Sequence, residues 1–166
     1  MKLNILLVLF ASGLIFSCSK GDDNKEKETE QNAIVGEWQA TELQIDNATA
    51  GDQAKFGKEI LDFLTARDCV VLTFSFKADL TVTAESSANN LDIDITPTGL
   101  DVPCPTESDT TTSTYTYDGS VLTTIDENGQ TIMVDVTISG DTMTVDATDL
   151  DIDNFNDEGQ LIFQRK

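Results

Sequence analysis

The chain has 166 residues, a length that suits one domain, and it carries 30 acidic side chains, 10 basic ones and no histidine, for a formal charge of −20. That balance opposes nucleic-acid binding, which needs cations against phosphates, and opposes adsorption of the folded part to anionic lipid heads. Without histidine the usual general base near neutral pH and the commonest metal ligand are missing, and serine–histidine or cysteine–histidine activation is excluded, so no catalytic residue, cofactor or metal is expected.

Residues 1–17 read as a secretory signal. Lys2 gives a positive start and Ile5 to Phe16 is almost wholly apolar. That run is about a dozen residues, short of the roughly 20 that a helix needs to span a bilayer. A buried core helix is the competing reading.

Ile15-Phe16-Ser17-Cys18 resembles the lipobox of bacterial lipoproteins. The resemblance implies cleavage before Cys18 and acylation, of the palmitate type, on its thiol and new amino group. One acyl chain binds a membrane only marginally, so the several chains of this modification would make a durable anchor. Residues 18–32 contain no aliphatic or aromatic residue and read as a disordered acidic tether. The segment Ser19-Lys20-Gly21-Asp22-Asp23 resembles the acidic export signal of Bacteroidetes surface lipoproteins, which implies an outer-membrane protein facing outward. A plain linker facing the periplasm is the alternative.

Setting Cys18 aside leaves Cys69 and Cys104. In an oxidising compartment one disulfide is the simplest outcome, with two free thiols as the alternative. Closing a loop of about 35 residues would contribute roughly 4 kcal/mol in the chain-entropy model.

The folded domain is expected over residues 33–166. Residues 33–46 read as a strand with Ile34, Val35, Trp38, Leu43 and Ile45 as apolar contacts. Residues 53–66 read as a helix that Asp52 can cap, with Phe56, Ile60, Phe63 and Leu64 on one face. Such a helix covers one end or side of the sheet, or binds a partner. Val70, Leu72, Phe74 and Phe76 alternate with Val71, Thr73 and Ser75 as a strand, and a turn at Ala78-Asp79 leads into Leu80, Val82 and Ala84. Leu91, Ile93 and Ile95 suggest a short half-exposed strand, and residues 97–110, with all three prolines, a loop.

Asp118-Gly119 and Asn128-Gly129 signal type I′ hairpin turns, and Gly140-Asp141 suits type II′. They separate four antiparallel strands: Thr112–Tyr117, Ser120–Asp126, Gln130–Ser139 and Thr142–Ala147. In the third, Ile132, Val134, Val136 and Ile138 share one face and Met133, Asp135 and Thr137 the other, which means one buried and one wet side. Leu161–Gln164 is a final strand. The sum is a mainly β chain of about eight or nine strands in a meander with one helix. Closing about eight strands gives an up-and-down barrel that side chains fill or that holds one small ligand.

Gly36-Glu37-Trp38 near the first strand's start and Arg165 at the chain's end are similar to the G-x-W signature and terminal basic residue of lipocalins. With the meander and the lipobox, the stretch 33–166 resembles the lipocalin-like domains of Bacteroidetes lipoproteins. The resemblance implies that Arg165 packs over Trp38 across the barrel seam, a cation–π contact that closes the barrel. It also fits a cysteine at the second strand and another in a later loop, as Cys69 and Cys104 are placed.

Asp149-x-Asp151-x-Asp153-Asn154 resembles the first half of a calcium loop, but Gln160 stands where a bidentate glutamate is expected and Asn154 replaces the turn glycine, so a solvated acidic loop is the default. The many serines and threonines of the β region suit exposed strand faces. The leading functional expectation is a membrane-anchored, non-catalytic binding module for a small apolar ligand, with Phe74, Val134 and Met143 as candidate cavity residues. The alternative is a filled-core interaction lipoprotein that serves a protein partner in the envelope.

Overall fold

Alternating inward apolar residues close an antiparallel sheet on itself in the computed structural model, which describes residues 33–97, 99–126, 128–150 and 157–166. In chain order the elements are β1 (Gly36–Ile45), α1 (Asp52–Thr65), β2 (Leu72–Phe76), β3 (Thr81–Ser86), β4 (Asp94–Thr96), β5 (Gly99–Asp101), β6 (Asp109–Tyr117), β7 (Val121–Ile125), β8 (Thr131–Ser139), β9 (Thr142–Asp146) and β10 (Gly159–Arg165). The barrel runs β1-β2-β3-β6-β7-β8-β9-β10, and β10 returns to pair with β1. These eight strands and the one longer helix are the architecture expected from the sequence. The signal peptide, Cys18, the tether and Asp151 to Asn154 of the acidic loop lie outside the described residues.

Period-two burial explains why β8 and β6 stand as they do. Val134 and Val136 are buried while Met133, Asp135 and Thr137 are exposed, and Tyr115 and Tyr117 are buried beside exposed Thr114 and Thr116. The main core joins Trp38, Leu43, Phe76, Tyr115, Val136, Met143 and Phe163 inside the barrel. At the seam, β1 carries one extra residue between Ala40 and Glu42. The hydroxyl of that residue, Thr41, donates to the Ile162 carbonyl at 3.3 Å.

Several local expectations need correction. Ala33 and Ile34 are in a helical turn, so β1 begins only at Gly36. Asp52 does not cap α1. The cap position is Gly51, whose N–H donates to Asp157 Oδ1 at 2.9 Å, and Asp52 is the first helical residue. There its negative charge meets the positive end of the helix dipole. Ala54, Ile60 and Leu64 are the buried residues of α1, whereas Phe56 is exposed. The helix lies against β1, and Leu61 reaches the barrel core.

The expected strand at Leu91, Ile93 and Ile95 is a 3-10 turn (Ala88–Asn90), an extended stretch and the short β4, which pairs with β5 in a hairpin outside the barrel. Residues 97–110 are therefore not a loop throughout: they include β5 and the start of β6. Cys69 and Cys104 form a disulfide with Cα atoms 5.3 Å apart. Beside it Ile60, Leu64, Cys69 and Val102 make a second small core, and Arg67 Nη1 donates to the Val102 carbonyl at 2.7 Å. The bridge thus fastens the β4–β5 excursion to the end of α1.

The two expected type I′ turns are also different. Neither Asp118 nor Asn128 has positive φ; only Gly119 and Gly129 do. Asp118 Oδ1 accepts from the N–H groups of Ser120 and Val121 and from the Ser120 hydroxyl. Asp126 Oδ1 accepts from the N–H groups of Asn128 and Gln130. An aspartate at the first turn position supplies these acceptors itself and settles the chain in a conformation where one glycine suffices. Gly140, at φ 60°, is the first central residue of the Ser139–Thr142 turn, as type II′ requires.

Candidate functional site

The two ends of the barrel differ because the chain treats them differently. At one end β1 begins and β10 finishes, and Trp38 is paired with Arg165 in register. The Arg165 guanidinium carbon lies 4.1 Å from the centroid of the Trp38 ring. Its Nη1 and Nη2 donate to the carbonyls of Val35 and Ala33 at 2.6 and 2.7 Å, and Trp38 Nε1 donates to the Ile34 carbonyl at 2.8 Å. Gly36 has φ +143°, and a Cβ there would run into Arg165 Nη1. Glycine, tryptophan and arginine are therefore one device. The arginine staples the incoming chain across the seam and seals this end.

The interior is filled unevenly. Near the seam Trp38, Met143, Val145 and Phe163 are all but fully buried. Phe74 packs against Phe163 with ring centroids 5.3 Å apart, and Phe76 meets Tyr115 edge-on at 5.0 Å. Away from the seam the inward residues shrink. Along β6 they run Tyr117, Tyr115, Ser113, Thr111, and opposite them on β3 stand Val82 and Ala84. The space that the small residues leave is a cavity of about 190 Å³. Its walls are mainly apolar: Phe74 and Phe76 of β2, Val82 and Ala84 of β3, Leu122 of β7, Ile132 and Val134 of β8, with Leu150 after β9.

The cavity's mouth follows from the sheet. Among the described residues the β6–β7 ladder pairs Tyr115 to Tyr117 with Leu122 to Thr124. Beyond it Ser113 Oγ donates to the Ile125 carbonyl at 2.7 Å. Thr111 and Ile125 line the cavity and are also exposed, so the opening lies beside them. Among the described residues that line the cavity one is ionisable, Asp149, and one of its oxygens, Oδ2, accepts the Asp135 N–H at 3.0 Å.

The family model of the lipocalin-like domain matches residues 34–145. The chain belongs to this family. No curated protein matches it. The match spans the barrel from the turn before β1 through most of β9, and it includes Gly36, Trp38, Phe74 and Val134. Lipocalin-like domains are in general non-catalytic binding barrels, and the interior space of this one has the form of a ligand-binding module.

Of the sequence-derived cavity residues of this lipocalin-like domain, Phe74 and Val134 line the cavity together, on facing walls from β2 and β8. Met143 does not: it is 1% exposed and packed in the filled half beside the seam. The reason is its register, which pairs it with Phe163 of β10 and Ile138 of β8. The residues that sequence reasoning missed are the small ones. Thr111, Ser113 and Thr124 face inward and line the cavity, although hydroxyl residues were expected on outer faces. The signal was present in β6, where the same alternation that buries Tyr115 and Tyr117 points Ser113 and Thr111 to the interior. Among the described residues no group of three metal-ligating side chains converges, and Asp149 of the acidic loop is engaged with the β8 backbone.

Proposed function

We propose that this chain is a lipid-anchored binding module of the bacterial cell envelope that holds a small apolar molecule inside its barrel. The cavity of about 190 Å³ supports the reading. An apolar cavity of about 150 Å³ stays dry and takes up benzene, while drug-sized ligands need about 300–1,000 Å³. The ligand is therefore about one aromatic ring in size, with any longer portion leaving through the mouth at Thr111 and Ile125. Burial of such a molecule is favoured at roughly 25 cal/mol per Å² of apolar surface removed from water.

The Ile15–Cys18 motif supports an anchor and the acidic start of the tether supports outward display from the outer membrane. Cys18→Ala is then expected to move the protein from the membrane to the soluble fraction, and retention in the membrane would contradict the anchor. Protease treatment of intact cells is expected to release the domain; a protected domain would place it on the periplasmic side.

Calorimetric titration with indole tests the binding reading. Saturable binding to the wild type that Val134→Trp abolishes is the expected result, since the larger ring would occupy the cavity. Equal heats for both proteins would contradict it. A filled-core scaffold for a protein partner, the other reading of the sequence, requires no interior space.

A further inference from the structure

The barrel is not only apolar inside: among the described residues one charge, that of Asp149, borders its cavity. We infer that the ligand carries a cationic amine on an apolar body, and that Asp149 receives the amine; this inference rests on the binding role proposed above. Three observations converge. Asp149 lines the cavity and is only partly exposed. Its Oδ2 is fixed by the Asp135 N–H at 3.0 Å, which orients the carboxylate, and Oδ1 has no hydrogen bond or ion pair among the described residues. Among the described residues no lysine or arginine lines the cavity.

Two of the hydroxyl groups nearby do not compete for that role. Ser113 Oγ donates to the Ile125 carbonyl and Thr124 Oγ1 to the Thr114 carbonyl, so both are already committed to the β6–β7 seam. A carboxylate partly withdrawn from water and lacking a cation gains most from a ligand that brings one. The whole chain, at −20, works in the same direction. It raises the local concentration of cations and repels anions such as fatty-acid carboxylates.

The test uses three probes of one shape: 2-phenylethylammonium, 2-phenylethanol and phenylacetate, titrated into the purified full chain by calorimetry against a detergent blank. The ammonium is expected to bind about tenfold more tightly than the alcohol, because both can donate a hydrogen bond to the carboxylate but only the ammonium brings a positive charge to it, and phenylacetate more weakly than either. Asp149→Asn keeps an acceptor for the Asp135 N–H. It is expected to bring the ammonium to the affinity of the alcohol. Asp149→Ser provides the same reading should the asparagine variant fold poorly. Asp94→Asn, an exposed charge on the outlying β4, is expected to keep the preference, which separates the site from general charge attraction. Equal affinity for all three probes, or an ammonium preference that survives loss of Asp149, would overturn the inference while leaving the apolar cavity in place. Failure of every probe to bind the wild type would overturn the binding role itself.

Discussion

The guanidinium of Arg165 lies 4.1 Å above the Trp38 ring, and these two residues are also register partners across the β1–β10 seam. The arginine therefore stacks on one strand while its nitrogens hold the carbonyls of Ala33 and Val35. Arg165→Ala is expected to cost about 2 kcal/mol, from a partly buried cation–π contact and two charge-assisted hydrogen bonds. Arg165→Lys would recover less than half, because an ammonium cannot stack and fork at once. Gly36→Ala would destabilise by a comparable amount through its φ of +143° and the collision with Arg165. Denaturant unfolding of the three variants checks this; a loss under about 1 kcal/mol for Arg165→Ala would make the seam contact incidental.

The end of α1 holds a correctable strain. Asp68 has φ 59°, and its N–H donates to the Thr65 carbonyl while the Cys69 N–H reaches back to Leu64, the hydrogen-bond pair of a Schellman cap. Glycine is the residue that this position favours, and a negative charge there opposes the helix dipole. Asp68→Gly is expected to raise stability by about 1 kcal/mol, read as a higher unfolding midpoint. A lower midpoint would mean that the exposed aspartate has a role the backbone does not reveal.

The Cys69–Cys104 bridge spans 35 residues. Its loss through a double Cys→Ser change is expected to cost about 4 kcal/mol. Hydrogen exchange should rise first in the β4–β5 excursion and at Val102, which the bridge holds against α1. Uniformly faster exchange across the barrel strands would show instead that the bridge supports the whole sheet.

Acid should act on the turns. The N–H groups of Val121 and Ser120 and the Ser120 hydroxyl hold the Asp118 carboxyl below its ordinary range, and the Thr81 hydroxyl and N–H, aided by Lys77, do the same for Asp79. A carboxyl with a lowered folded value contributes stability above the unfolded value and loses it as pH falls through the folded one. Asp118→Ala is therefore expected to unfold at a lower temperature than wild type at pH 7. The gap should begin to close below about pH 4. A gap that is constant with pH would show that the side chain acts sterically.

What could be read in the sequence followed from periodicity. The alternation of Ile132, Val134, Val136 and Ile138 sets the inner face of β8, and the G-x-W and terminal arginine mark the seam. What could not be read depended on contacts far apart in the chain. Gly51 is held by Asp157, a partner no local cap rule supplies. The β4–β5 hairpin stands because Val102 and Cys104 dock on α1, not because its own residues are strong strand formers. The cavity is the sum of small inward residues on neighbouring strands, Ala84 opposite Thr111 above all, and that sum appears only once the register is known.

The most direct test of the binding role is a methyl NMR titration of the protein with indole. Chemical shifts are expected to change at Leu122, Ile132 and Val134, which line the cavity, and to stay fixed at Met133 on the outer face of β8 and Ile95 on the outlying hairpin. Shifts confined to Met133 and Ile95, or no shifts at saturating indole, would contradict a ligand held inside the barrel.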